Sequence, residues 1–449
     1  MNNLKVGYSR LNITPMLGID LGGYPIKRQA EKILDDLYVF CVALNSGDDT
    51  ALILAVDNLS LFVSTADRYR EAISKKTSIP KEAIYISCSH NHTSPGKPGD
   101  TASKEINDYY DFLEYKMVDS AVLAIADLKD ARMGYGIGEA KGVAFPRRYR
   151  MKDGSCQTNP GVNNPDILHS IGTADERVTV IRFDREGADT IVIANFGNHP
   201  DTIGGCVISS DWPHFLRETV ESVIPNCKCV FLNGAQGDLN HVNVHPTGGF
   251  YNDLARDFDD VDRGYGHTRW MGRVVGAGVL QVFDKVEYVD VDSIKYIQKT
   301  IEIPSNRPDP KDIPEARRID ELYSSGRASE LPYKGMMMTT VVAEARRMLR
   351  LENGPDYFDM NLIGISVGGV AFLGIPGEPF SEVGKQLKND PNFTLVVPTA
   401  LTNGSQGYFP TRDAYDEGGY EARGSRFKAG VAELIIEEGK KLLTELWNK

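Results

Sequence analysis

The chain has 449 residues, 41% hydrophobic and 25% charged, with a formal net charge of −12. This composition belongs to a globular protein with a large core and excludes disorder. The acidic balance excludes a nucleic-acid-binding surface, which needs clustered Lys and Arg, and offers no attraction to anionic lipid surfaces.

The N-terminal MNNLKVGYSRLNITP has no basic region ahead of an apolar run, so no signal peptide is read there. Nor does any run of about eighteen apolar residues follow. A cytoplasmic protein without stable membrane association is the expectation, acting on a small molecule, with its oligomeric state left open. Along the chain, strand-like apolar runs at 51–56, 84–88, 190–196, 228–232, 361–375 and 395–397 alternate with helix-like stretches. The latter lie at 66–76, 108–128, 214–223, 271–283, 341–351 and 428–447. Such alternation predicts one large α/β domain, 1–449, with a sizeable mixed sheet. Prolines and charges cluster near 304–315, in NRPDPKDIP, which reads as a surface loop within that domain or as a linker. The cysteines, Cys41, Cys88, Cys156, Cys206, Cys227 and Cys229, form no CxxC pair and are expected to be free buried thiols.

Four segments carry candidate chemistry. In IYISCSHNHTSPG (84–96) a strand-like run ends in His-x-His. Residues two apart on an extended chain face the same way, about 6.5–7 Å apart, so one histidine can hold a metal while the other reaches substrate. Alone, the pair is also what a polar strand end looks like. In IVIANFGNHPDTIGG (191–205) another apolar run delivers His199 into a Gly-rich turn, and Asp211 in ISSDWP is expected to cap the helix starting near Pro213. VAFLGIPGEPF (370–380) presents Glu378 at a Pro-Gly turn. GYFPTRDAYDEGGYEARGS (407–425), poor in aliphatics, reads as a loop with Tyr408 and Tyr420 twelve residues apart.

Taken together these segments resemble the N-terminal catalytic domain of the neutral/alkaline ceramidase family. LNITPMLGIDLGGY (11–24) resembles that family's opening, SHNHTSPG its THTHSGPG, and FGNHPDTIGG with ISSDWP its second histidine segment. NGAQGDLNHVN (233–243) resembles its GDVSPN loop, IPGE its VPGE, and 407–425 its tyrosine loop. The resemblance implies the α/β catalytic fold of that family and a zinc ion held by His90, His199, Glu378 and Tyr408. Two imidazoles, a carboxylate and a phenolate suit Zn²⁺, which makes hydroxide available from water near neutral pH. It further implies His92 as acid/base and Arg147, with Arg148 as second candidate, together with Tyr420 as stabilisers of an oxyanion.

Some positions depart from the family. Asn240 stands where it has serine, and His241 where it has proline. The segment RRYRMKDGSCQTNPG is more charged than its counterpart, and the family's C-terminal immunoglobulin-like domain is expected to be lacking. The resulting expectation is a zinc-dependent hydrolase cleaving an amide or related acyl bond of a small polar substrate. Its rivals are a true ceramidase or N-acyl lipid amidase, and a metal-holding binding protein without activity.

Overall fold

The computed structural model describes residues 3–248 and 253–449. A nine-stranded mixed sheet dominates it. In spatial order its main path runs Cys227–Asn233, Thr190–Phe196, Arg177–Arg185, Lys129–Glu139, Leu4–Asn12, Tyr38–Ser46, Asp49–Val56, Ile84–Cys88; Glu287–Val289 pairs beside Lys129–Glu139. The inner pairs are antiparallel, and the outermost pair at each edge is parallel. A parallel pair needs a crossover, supplied here by the helices Val63–Thr77 and Trp212–Val223. A second sheet runs Ile294–Pro304, Tyr357–Val367, Val370–Gly374, Leu395–Thr399, and its last pair is again parallel, across the helix Ser381–Leu387.

The core follows from composition. Tyr38–Ser46 and Asp49–Val56 are buried along nearly their whole length, without the polar alternation of a half-exposed strand. The helix Lys104–Ala126 and the strand Ile294–Pro304 both contact Tyr38–Ser46, and Leu52, Ile86, Ile363 and Phe372 share one apolar cluster. Lys129–Glu139 is rich in glycine for a strand, and packing explains it. A Cβ on Gly138 would lie 1.9 Å from the carbonyl oxygen of Gly278, so glycine lets the helix Tyr265–Leu280 rest on the sheet.

The large sheet curls until its two edge strands contact each other. The segment after Leu395–Thr399 touches both: Ala400 N donates to Asn233 O at 3.0 Å and Asn403 N to Ile86 O at 2.7 Å.

The expected strands at 51–56, 84–88, 190–196, 228–232 and 395–397 all fall inside observed strands. The run 361–375 is two strands, folded back at Gly368, whose φ of 54° suits a residue without Cβ. The last helix begins at Val431, not 428, after Gly430. The tyrosine segment, expected as a loop, holds two short helices, Arg412–Glu417 and Tyr420–Gly424, separated by Gly418 and Gly419 with positive φ. The Pro-rich stretch near 304–315 runs through a short 3₁₀ turn into the helix Ile313–Ser324 and is tied down by Asn306 N donating to Arg426 O at 2.7 Å. Asp211 caps the helix Trp212–Val223, accepting from Trp212 N. The six cysteines are free, and all but the half-buried Cys206 are buried.

Candidate metal centre

Each parallel strand pair delivers candidate residues from the carboxyl end of a strand, where α/β sheets place their sites. His90 and His92 follow Ile84–Cys88, His199 follows Thr190–Phe196, and Glu378 follows Val370–Gly374. Glu378–Pro379 then pairs in parallel with Tyr408–Phe409, with Glu378 directly opposite Tyr408. Backbone pairing thus sets those two side chains on neighbouring strands. Gly237 allows the next loop to close in: it donates to Pro379 O at 2.8 Å, and a Cβ there would lie 2.4 Å from Glu378 O.

The histidines are oriented by carbonyls. His90 Nδ1 lies 2.8 Å from Leu59 O, and His199 Nδ1 lies 2.8 Å from Leu239 O and 3.0 Å from Gln236 O. A carbonyl oxygen only accepts, so each Nδ1 carries a hydrogen and each ring turns its Nε2 inward, where a neutral ring offers a lone pair. Both Nε2 atoms lie 3.2 Å from the same oxygen, Glu378 Oε2. Two imidazole lone pairs and a carboxylate oxygen therefore face one another in a buried site, an arrangement that a cation among them satisfies. His92 Nε2 stands 3.3 Å from His90 Nε2, and ligand atoms of His90, His92 and His199 all lie within 4.8 Å of one another. This group could hold a metal ion.

The electrostatics of His92 and His199 agree with that chemistry, while those of Tyr408 favour the protonated phenol. Burial, then Arg147, holds His199 below the usual imidazole range; burial, then His90, holds His92 well below it. Both are neutral and able to donate a lone pair. Burial and then Glu378 raise Tyr408 well above the phenol range. Its ring stacks on His199 at 6.4 Å. His90 also adopts φ 74°, rare for a residue with a Cβ, fixed by its own N donating to Asn58 O at 3.0 Å.

These groups line a cavity of 340 Å³ that includes His90, His92, Arg147, Glu378, Tyr408 and Tyr420; His199 is fully buried behind Glu378. Arg147 Nε donates to Glu421 Oε1 at 2.5 Å and its Nη2 to Gly237 O at 2.7 Å, and its guanidinium sits 5.4 Å and 5.9 Å from the Tyr408 and Tyr420 ring centres. Glu421, opposing the cost of burial, keeps it charged. Burial raises Tyr420 to about 12, so it stays a phenol donor. Arg148 turns instead to Glu417, 2.6 Å away. Asn240 and His241 do not line the cavity; each contacts a residue that does, Asn159 at 3.1 Å and Asp201 at 3.0 Å.

Sequence reasoning missed the parts that hold this site together. Asn233 Nδ2 donates to Ser89 O at 2.9 Å and to Asn198 O at 3.1 Å, joining the residues just before His90 and His199. Asp57 forms a buried bidentate pair with Arg217, at 3.0 and 2.8 Å, which anchors the turn whose next two carbonyls orient His90. Neither has a local sequence signature.

A solved neutral ceramidase from Pseudomonas aeruginosa superposes with a TM-score of 0.73, covering 100% of this chain and 75% of that one at 14% identity. The fold is that of the neutral ceramidases. A second solved ceramidase, in complex with C2, superposes with a TM-score of 0.71 at 15% identity, covering 99% of this chain and 76% of that one. No protein-family model matches the sequence, and neither does any curated protein. Relative to those ceramidases the likeness lies in the backbone, so the chemistry rests on the residues described above. No helix among the described residues is long and apolar enough to cross a membrane.

Proposed function

We propose that this chain is a divergent member of the neutral ceramidase family: a hydrolase with zinc held by His90, His199, Glu378 and Tyr408. It cleaves an amide or related acyl bond of a small polar substrate. The observation that carries this reading is the convergence of His90 Nε2 and His199 Nε2 on Glu378 Oε2, beside a cavity that His90 and Glu378 line. A zinc ion bound there would make hydroxide available from water near neutral pH and polarise a carbonyl.

The chain's own groups do the rest. His92, neutral at the cavity wall, takes a proton from the attacking water and returns it to the leaving amine. Tyr420, a phenol, and Arg147, permanently charged, donate to the oxygen on which negative charge develops. Glu421 and Gly237 O hold the guanidinium in place for that role.

The cavity favours a small polar molecule. Its 340 Å³ sits near the lower end of ligand pockets, about 300–1,000 Å³. Its lining sets Lys97, Asn159, Asp201, Asp259 and Arg263 beside the apolar Leu59, Phe258 and Met336. Each buried methylene gives only about 0.8 kcal/mol, so a long acyl chain needs a continuous apolar wall.

The shared fold favours a second reading, hydrolysis of a lipid N-acyl amide. The deciding experiment compares kcat/KM of the zinc-loaded protein on a short-chain fluorescent ceramide and on small N-acyl and lactam compounds. Ceramide turnover above about 10⁴ M⁻¹s⁻¹ would establish the lipid reading. Tight zinc with no turnover of either set would leave a binding protein.

A further inference from the structure

Asn240 and His241, neighbours in the chain, each hold one residue of the cavity wall. The strand Leu239–Asn240 pairs with Phe145–Pro146, which leads directly into Arg147. Val242 N donates to Asn240 Oδ1 at 3.0 Å, so the other end of that amide is its nitrogen. Asn240 Nδ2 then donates to Asn159 Oδ1 at 3.1 Å. This leaves Asn159 Nδ2, a donor, without a hydrogen bond among the described residues. One residue on, His241 Nδ1 lies 3.0 Å from Asp201 Oδ1 and donates to that carboxylate oxygen. Asp201 Oδ2, an acceptor, has no hydrogen bond among the described residues. Arg263 Nη2 stays 3.7 Å from it. That guanidinium already donates to both oxygens of Asp259, at 2.7 and 2.9 Å, and to Asp201 O at 2.9 Å.

Asn159 and Asp201 line the same cavity as His90, Arg147 and Glu378. Both are tied by backbone to the proposed chemistry. Asn159 N donates to Arg147 O at 2.8 Å, and His92 N donates at 3.0 Å to the carbonyl of Pro200, just before Asp201. Asp201 is only 6% exposed, where a polar atom left without a partner is costly.

We propose that Asn159 Nδ2 and Asp201 Oδ2 form a recognition pair for a neutral polar group of the substrate, with Asn240 and His241 as its positioning residues. This deepens the hydrolase reading and rests on it for the word substrate. The group offers an acceptor to Asn159 and a donor to Asp201. An apolar chain leaves both atoms unpaired, and a carboxylate meets Asp201 as a like charge. Two chemistries satisfy the pair: the N–H and C=O edge of a second amide, and a vicinal diol. The substrate class is therefore a short N-acyl compound with such a group near the scissile bond.

The probes are 2-pyrrolidone and 1,2-propanediol, with N-methyl-2-pyrrolidone and 1,2-dimethoxypropane as counterparts lacking the donors. Ligand-observed NMR titrations read them on the full chain as purified. We expect one parent probe to bind about tenfold or more tighter than its methylated counterpart, the scale of a hydrogen bond to a charged group. The parent so preferred, pyrrolidone or propanediol, assigns the amide or the diol. Asp201→Asn puts an amide nitrogen in place of the free oxygen. Asn159→Asp does the reverse, keeping the oxygen that Asn240 needs and tolerating the φ of 46°. Each should weaken the preferred parent by about tenfold or more. Asn240→Ala and His241→Ala should weaken it too, and His241→Gln, still a donor to Asp201, should restore it. No binding in the wild type, no preference for a parent, or a preference that Asp201→Asn and Asn159→Asp leave intact would overturn the pair. Hydrolysis is scored separately, on N-acyl amino-acid amides and N-acyl aminodiols. Probe binding as expected without any turnover keeps the pair and removes the hydrolase. Turnover with the same kcat/KM in Asp201→Asn and Asn159→Asp does the opposite.

Discussion

Asn233 Nδ2 lies 2.9 Å from the carbonyl oxygen of Ser89, and this bond joins the two edges of the large sheet one residue before His90. The same amide nitrogen reaches Asn198 O, one residue before His199. A single buried side chain therefore sets the spacing of two proposed ligands.

Asn233→Ala should loosen that spacing. Two buried carbonyls lose their shared donor, and each orphaned group costs about 1–3 kcal/mol. Thermal unfolding should shift down, and zinc affinity should fall although no proposed ligand has changed. Calorimetry and a competitive zinc titration read the two effects; wild-type zinc affinity would show that the bond does not position the ligands.

The wild type should hold one zinc ion, about 2.0–2.2 Å from each N or O ligand. His90→Ala and Glu378→Ala should lose most of it by elemental analysis. Full retention in both would rule out the proposed ligand set.

Tyr420→Phe and Arg147→Ala should separate chemistry from stability. Tyr420→Phe should keep zinc and fold while lowering kcat by roughly 10²-fold or more, the scale of an oxyanion donor. Arg147→Ala should do this and also destabilise the fold by about 3–5 kcal/mol, because it leaves the fully buried Glu421 unpaired. Restoring stability with Glu421→Gln in the Arg147→Ala background, without restoring activity, would complete the separation.

Asp211 should make stability fall as pH rises. Burial pushes its carboxyl up to about 7 from the unfolded 3.8, against hydrogen bonds from Thr202 and Trp212. The folded state then binds more protons than the unfolded state between those values, so this contribution is present at low pH and is lost as pH rises through about 7. Asp211→Asn should flatten the slope between pH 4 and 7 in denaturant melts. An unchanged slope would place the titration elsewhere.

The site was more legible in the sequence than its supports. His90, His199 and Glu378 each follow an apolar strand run and precede a Gly or Pro turn, a local pattern that marks a strand's carboxyl end. The ordered family resemblance joined them to Tyr408, Arg147 and Tyr420, which the fold brings around one cavity. Asn233 and the Asp57–Arg217 pair act between segments far apart in sequence, where no periodicity records them. Lys129–Glu139 escaped notice for a different reason. Its glycines look like breakers, yet Gly138 is there because a helix backbone presses against it.

The closing of the large sheet bears on how the protein behaves in a crowded solution. An open sheet ends in rows of unpaired amides and carbonyls that another chain can extend. Here, at the end that carries the site, the two outer strands meet each other, and the segment Ala400–Asn403 donates to Asn233 O of one and Ile86 O of the other and accepts from Cys88 N. That stretch offers no template for strand addition by a neighbouring copy. The geometry that brings the histidines together thus also guards their strands against intermolecular β-pairing and aggregation.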